Sequence, residues 1–506
     1  MSKSQINNKR IAKNTLFLYF RMIVIMAISL YTVRAILHQL GVVDYGIYNV
    51  VGGVVSMFSF LNGTLATSSQ RYFSIELAKG DMKRLNQWVC LNITTFSIFI
   101  IILLVIAETI GLWFVNYKMT IPEERMFAAN VVYQFSIISF CVQFFNVPYN
   151  ALIIAHERMS AFAYISIIEA ASKLVIVFLL SISTWDKLIV YGILMFFISC
   201  GVTSSYTIYN LRHFEEAKFR PYWNKQEIKE LLSFSGWHFF GTFSVVVRSQ
   251  GINILLNLFF NPAVNAARAI AYQVYNAVSQ LSHNFFVAVK PQIYKSYAAG
   301  EKEVMYKLIL RSTTMSSLLV SILVFPILVN THYILSLWLK EIPDYAVIFT
   351  QLVLVNGLVD TTNGPTIASV LATGKIRKYE MIVGGLFILN LPISYIALKF
   401  GCDPTVTMVI SIVIAFFVTF VRAFFMCNMI GFVFSRYIMM FIRLLVTCFA
   451  IWIISNLLID NEATNIITLI IQSFCVFLTT LVCYAIIAFD KDDFVIVINY
   501  IKKRLK

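Results

Sequence analysis

Apolar runs long enough to cross a bilayer recur from one end of this sequence to the other, and they leave few folds open. Of 506 residues, 59% are hydrophobic and only 13% charged, which is more apolar surface than a water-soluble chain of this length can hide. A spanning helix needs roughly 20 apolar residues. In lipid each backbone N–H and C=O must be satisfied within its own segment, so these runs are helices. Charged and turn-forming breaks delimit spans at 12–37, 46–74, 88–116, 127–155, 161–182 and 188–211, then at 231–259, 266–291, 306–330, 345–372, 381–399, 406–428, 438–459 and 464–489. The fold class that follows is an all-α polytopic membrane protein of about 14 transmembrane helices.

The first apolar run, 15–37, is too long for a signal-peptide core of roughly 7–15 residues and lacks a small-residue cleavage site, so it is expected to persist as the first helix. With the N-terminus in the cytoplasm, the loops on that side are 79–86, 156–158, 212–230, 295–302, 374–378, the turn at Arg436 and the tail 502–506, and they carry most of the loop Lys and Arg. That satisfies the positive-inside rule and puts both termini in the cytoplasm. The net charge of +15 then reflects this asymmetry and contact with anionic membrane lipids, and it gives no ground for a nucleic-acid partner. All of the eight cysteines but Cys402 lie in or at the edge of spans, without a C-x-x-C pair, as small apolar packing groups do. The six histidines lack ligand spacing, and neither a metal nor a cofactor is expected.

The longest polar stretch inside the chain, 212-RHFEEAKFRPYWNKQEIKE-230, reads as a linker. On either side of it the sequence echoes itself. Asn146, Pro148, Ala151 and Ala155 of the fourth span recur as Asn363, Pro365, Ala368 and Ala372 of the tenth, displaced by 217 positions, and 78-AKGD-81 recurs as 298-AAGE-301, displaced by 220. Two matches at nearly one offset, in equivalent helices, predict a six-helix unit repeated in parallel. The expected organisation is a first lobe at 1–211, the linker at 212–230, a second pseudo-symmetric lobe at 231–428, and two additional helices with a basic cytoplasmic tail at 429–506.

A charged side chain at the centre of a spanning helix costs roughly 2.5–3.5 kcal/mol, and this chain keeps many: Arg21, Arg34, Arg71, Glu169, Lys173, Arg248, Lys290, Asp360, Arg422 and Arg443. Cations dominate. Arg21, Arg34, Arg248 and Arg422 are candidates for a cationic, hydrated cavity between the lobes that binds phosphate through bidentate guanidinium contacts. Snorkelling to headgroups is the competing account for Arg21, Arg71, Lys290, Arg422 and Arg443; Arg248, about midway along its span, has no interface in reach. His238, Thr242, Ser249 and Asn253, with Ser235, fall on one face of the seventh span at about 100° per residue, as a polar lining or as interhelical glue. Glu169 and Lys173 are spaced i,i+4 in the attractive order, which suits a structural pair. Asp360 precedes 361-TTNGP-365, where a helix-breaking Pro frees carbonyls. Asp360 and Glu169 are the candidates for coupling to a cation, H+ or Na+.

At 31-YTVRAILHQLGVVDYGIYNVVGGVVSMFSFLNG-63, an Arg is followed by Leu-Gly and Asp-Tyr-Gly-Ile-Tyr leading into a Gly-rich second helix, and 69-SQRYFSIELAKGD-81 follows. This pattern resembles the polysaccharide transporter family of O-antigen and capsule flippases, within the superfamily that also holds multidrug antiporters and peptidoglycan-precursor flippases. The resemblance implies a flippase of the bacterial cytoplasmic (inner) membrane that translocates an undecaprenyl-diphosphate-linked oligosaccharide by alternating access, alongside other polysaccharide assembly proteins. Drug-extruding relatives commonly carry an acid in the first helix; this chain has Arg21 and Arg34 there and no acid. An ion-coupled multidrug or metabolite antiporter of the same superfamily is the alternative. A membrane enzyme is disfavoured, because every predicted external loop is short and holds no carboxylate pair or nucleophile constellation.

Overall fold

The computed structural model describes residues 3–56, 59–117, 119, 121–260, 262–339, 341–459 and 462–489. Its backbone separates into two compact units, 1–239 and 240–506.

Unit 1 begins with α1 (Lys3–Ser56), which runs through a kink at Gly41. There φ is 76° and ψ 170°, a conformation open to glycine because it has no β-carbon. This kink separates the first two expected spans. α2 (Ser59–Lys79) and α3 (Met82–Ile106) follow, the latter continuing through a π-helical turn into α4 (Leu112–Tyr117). The fourth span is broken: α5 (Met126–Phe145) gives way to α6 (Val147–Ala155), with Pro148 in the first turn of the new helix, where its missing N–H is harmless. α7 (Met159–Ile182) and α8 (Lys187–His213) complete the six spans. α9 (Lys225–Phe259) crosses from one unit into the other.

Unit 2 repeats the plan with α10 (Pro262–Ala298), α11 (Lys302–Val329), a short α12 (Thr331–Trp338), the broken pair α13 (Ala346–Asp360) and α14 (Asn363–Thr373), α15 (Arg377–Lys399) and α16 (Val406–Ile430). α17 (Phe434–Leu458) and α18 (Ile466–Cys483) are the two additional helices, and both pack on α11. Pairings repeat as well: α2 with α6 and α10 with α14, α5 with α8 and α13 with α16, α7 with α8 and α15 with α16.

Both sequence echoes have a structural cause. In 78-AKGD-81 the Gly80 N–H bonds Leu77 O and the Asp81 N–H bonds Glu76 O; in 298-AAGE-301 Gly300 bonds Tyr297 O and Glu301 bonds Ser296 O. Each is a Schellman stop with glycine in the left-handed region, φ 76° and 69°. The Asn-x-Pro echo marks the break in the fourth helix of each unit.

Among the described residues, eleven segments are long and apolar enough to cross a bilayer on composition alone, and α13 is a shorter apolar helix. α2 and α10 are too polar to qualify. They are shielded by pairing, α2 with α3 and α6, and α10 with α11, α13 and α14. α9 and α15 approach closely: a β-carbon at Gly384 would stand 2.8 Å from Ser244 Oγ and 2.9 Å from Phe240 Cε1. α18 is tied to α11 through the Tyr484 hydroxyl just beyond its end, 2.6 Å from Ser317 Oγ and 2.9 Å from Ser321 Oγ.

The polar stretch 212–230 is fastened to unit 1. Asn86 Nδ2 donates to Glu216 O and Lys218 O, both at 2.8 Å. Arg84 pairs with Glu227 at 2.8 Å, and the Tyr72 hydroxyl donates to Glu230 at 3.2 Å. His156 stacks on Phe214 at 4.0 Å and meets Glu216 Oε1 at 2.5 Å.

At the opposite end of unit 1, Arg125 forks between two carboxylates. Its Nε and Nη2 donate to Asp44 at 2.8 and 2.5 Å, and its Nη1 donates to Asp186 at 2.5 Å. Asp186 also caps α8, accepting from Leu188 N at 3.0 Å and Ile189 N at 3.2 Å. The Asp-Tyr-Gly-Ile-Tyr motif thus supplies Asp44 to a clamp joining α1, α5 and α8. Replacing Arg125 by Gln leaves two facing carboxylates and is expected to cost about 1–3 kcal/mol, less than a fully buried pair because all three side chains are partly exposed; a fall in the melting temperature of the purified protein checks this. Burial alone would raise the Asp186 carboxyl, but Arg125 and the α8 amides hold it below its ordinary value. A depressed folded pKa contributes stability above the unfolded value of about 3.9 and loses it as pH falls through the folded one. Acidification below about pH 4 should therefore lower the melting temperature of the wild type more than that of Asp186→Asn.

Candidate functional site

Each unit encloses a cavity whose walls bring intramembrane charges together. In unit 1 a space of about 400 Å³ lies among α1, α7 and α8. Arg21, Glu169 and Lys173 line it together with the hydroxyls of Ser29, Thr32 and Ser166. Arg21 lies with its guanidinium 4.3 Å over the Phe162 ring, and its Nε is buried without a hydrogen-bond partner. Lys173 pairs with Glu169 at 2.8 Å. The i,i+4 pair is therefore both an ion pair and part of the wall, with Glu169 within electrostatic reach of Arg21.

In unit 2 a space of about 360 Å³ lies among α10, α11, α13, α14 and α16. Asp360, the last residue of α13, faces it at the helix break, with Tyr275, Ser282, His283, Asn363 and Arg422 around it. The Asp360 carboxylate accepts from Asn356 Nδ2 at 3.0 Å, from the Tyr275 hydroxyl at 3.4 Å and from Asn363 Nδ2 at 3.5 Å. Asn363 is itself oriented by the Thr419 hydroxyl, which donates to its Oδ1 at 3.3 Å. Arg248 of α9 and Arg422 of α16 share one aromatic platform, their guanidinium carbons 4.6 and 5.5 Å from the Phe387 ring centre. Arg422 is 9% exposed, and its Nε is buried without a hydrogen-bond partner. Both guanidiniums lie within electrostatic reach of Asp360.

The members of the α9 stripe meet different partners. Ser235 donates to Ser68 at 2.9 Å within unit 1, and His238, also in unit 1, lies 6.5 Å from the Phe234 ring. Thr242 and Ser249 are half-buried in unit 2. Asn253 donates to Gln250 at 3.2 Å and accepts from Arg268. The side chain of Arg34 lies outside the described residues. Arg71 is 7% exposed and rests 4.7 Å over Tyr72 and 5.0 Å over Phe234, so it is buried within unit 1. Arg443 is exposed on α17, as snorkelling requires.

Sequence reasoning missed Arg268. Expected to fall at the edge of its span, it lies inside α10 and is 3% exposed. Its Nη1 donates to Asn253, its guanidinium carbon is 4.4 Å over Tyr272, and its Nε and Nη2 are buried without hydrogen-bond partners. The available signal was the Arg-x-x-x-Tyr spacing, which puts a ring one helical turn from the cation.

No family model matches the sequence, and no curated protein matches it. Solved structures do match. An outward-facing multidrug resistance MATE family transporter of the MOP superfamily aligns with TM-score 0.69 at 11% identity, over 85% of this chain and 98% of that one. A mutant MATE transporter of Vibrio cholerae aligns with TM-score 0.66 at 13% identity over 85% and 98%. A MOP superfamily transporter from Pyrococcus furiosus, described as having a binding pocket of reverse polarity that suggests a different function, aligns with TM-score 0.64 at 10% identity over 85% and 98%. The chain thus has the fold of these transporters and is a multi-pass membrane protein.

Proposed function

We propose that this protein is a transporter whose cargo is an anionic, lipid-linked oligosaccharide of the undecaprenyl-diphosphate class, such as an O-antigen or capsule repeat unit, translocated across a bacterial inner membrane by alternating access. The fold supports transport. The observation that carries the choice of cargo is the sign of the buried charge. In unit 1 the cavity sets Arg21 and Lys173 against one acid, Glu169; in unit 2 Arg422 lines the cavity with its one acid, Asp360, and Arg248 shares the Phe387 platform with Arg422. Both clusters are net cationic. A guanidinium presents in-plane donors that match the oxygens of a diphosphate, whereas an organic cation entering either cluster would meet like charge in a medium that screens it poorly.

The second reading, an ion-coupled multidrug or metabolite antiporter, is favoured by the MATE transporters among the matching structures and by the two cavity-lining acids, Asp360 and Glu169. The readings separate experimentally. Under the first, Arg248→Ala abolishes surface polysaccharide in cells that still insert the protein at wild-type levels, and normal polysaccharide in that variant counts against it. Under the second, inverted vesicles show ion-driven transport of a fluorescent organic cation that disappears in Asp360→Asn or Glu169→Gln.

A further inference from the structure

The Asp360 carboxylate is held by neutral donors, the amides of Asn356 and Asn363 and the phenol of Tyr275, and among the described residues it makes no contact ion pair. Arg422 lines the same cavity, Arg248 and Arg422 both lie within electrostatic reach, and Arg422 keeps a buried N–H without a hydrogen-bond partner. The fold does not require an acid at this helix break. The position 217 residues earlier, equivalent in the repeat, is Gln143, which donates to Ser199 at 2.9 Å.

We propose that Asp360 is the built-in counter-anion of Arg248 and Arg422, that a phosphate-class anion takes over those guanidiniums on binding, and that binding therefore draws a proton onto Asp360. This rests on the anionic-cargo reading above. A bound oxyanion beside Asp360 places two negative charges in one confined space, and a like charge at that range disfavours the ionised carboxylate. Anion binding and carboxyl protonation then favour each other, and by reciprocity the anion binds more tightly as pH falls through the titration of Asp360. The sign is opposite to that of a carboxylate that exchanges a cationic cargo for a proton, where the two ligands exclude each other.

The groups facing Asp360 are Arg248 from α9, Tyr275 and His283 from α10, Asn356 on its own α13, Asn363 from α14 and Arg422 from α16; α11 contributes only Val320 and Val324 to the cavity. His283 is therefore the competing proton acceptor.

The test is calorimetry on the full-length protein in lipid nanodiscs, titrated with inorganic sulfate and with a prenyl sulfate ester, both of which stay fully ionised between about pH 5 and pH 8. Repeating each titration in two buffers of different ionisation enthalpy reads the proton stoichiometry. The expected result is uptake of up to one proton per anion, with affinity falling by as much as about tenfold per pH unit across the carboxyl titration. Asp360→Asn should abolish the uptake and bind at pH 8 about tenfold or more tightly than wild type, while His283→Gln keeps the uptake. Binding of the ester alone names a lipid headgroup as the source, and binding of both admits a free anion. Binding without proton uptake in the wild type, uptake that survives in Asp360→Asn, or uptake lost in His283→Gln overturns the proposal and leaves the anionic cargo standing. Binding of neither probe at any pH overturns both.

Discussion

Charge inside a bilayer needs company, and among the described residues five arginines find it in an aromatic ring. Arg21 lies on Phe162, Arg71 on Tyr72 and Phe234, Arg248 and Arg422 on Phe387, and Arg268 on Tyr272. A desolvated cation–π contact contributes about 2 kcal/mol, against roughly 2.5–3.5 kcal/mol to carry a charged residue to the centre of a spanning helix. The ring therefore recovers most of the insertion penalty. It does so without using the in-plane N–H donors, which a carboxylate would occupy as Glu169 occupies Lys173. Arg21, Arg268 and Arg422, which keep buried N–H groups without hydrogen-bond partners, are thus tolerated in the hydrocarbon region while remaining able to hold an incoming oxyanion.

Hydropathy is a property of a segment, and what depends on segments was legible in the sequence. Each expected span has its helix or helix pair, including α2 and α10, whose polar content excludes them on composition alone. Properties that depend on which side chain meets which were not legible. The Asn-x-Pro echo and a helix break at its Pro were visible, but that α13 ends at Asp360 and turns this carboxylate to a cavity was not. The α9 stripe looked continuous at helical spacing, yet its members bond different helices in different units, Ser235 to α2 and Asn253 to α10. The residues 212–230 read as a linker because they are polar, yet three of their acids are spent on unit 1: Glu216 on the turn after α6, Glu227 on α3 and Glu230 on α2.

The candidate sites divide in the same way. Charge in a spanning segment flags residue types, and so Arg21, Glu169, Arg248, Asp360 and Arg422 stand out from composition. Their grouping around two cavities follows from packing across three helices in one unit and five in the other, and the rings beneath them, Phe162 and Phe387, are two among the 44 phenylalanines of the chain. Arg268 shows the limit most clearly: it stood at the edge of the expected span 266–291, where a cation reads as interfacial and where helix ends are uncertain by a few residues, and only the packing of α10 shows it to be 3% exposed.

The Schellman corners at Gly80 and Gly300 also bear on biogenesis. A reversal of two or three residues leaves the polar α2 and α10 no slack to wait in water while their apolar successors enter lipid. Each hairpin must partition as one object, the greasy α3 or α11 carrying its hydrophilic companion in with it. A side chain added at either glycine would strain a corner that links two helices of opposite solubility, so its effect should fall on membrane insertion before it falls on the finished protein.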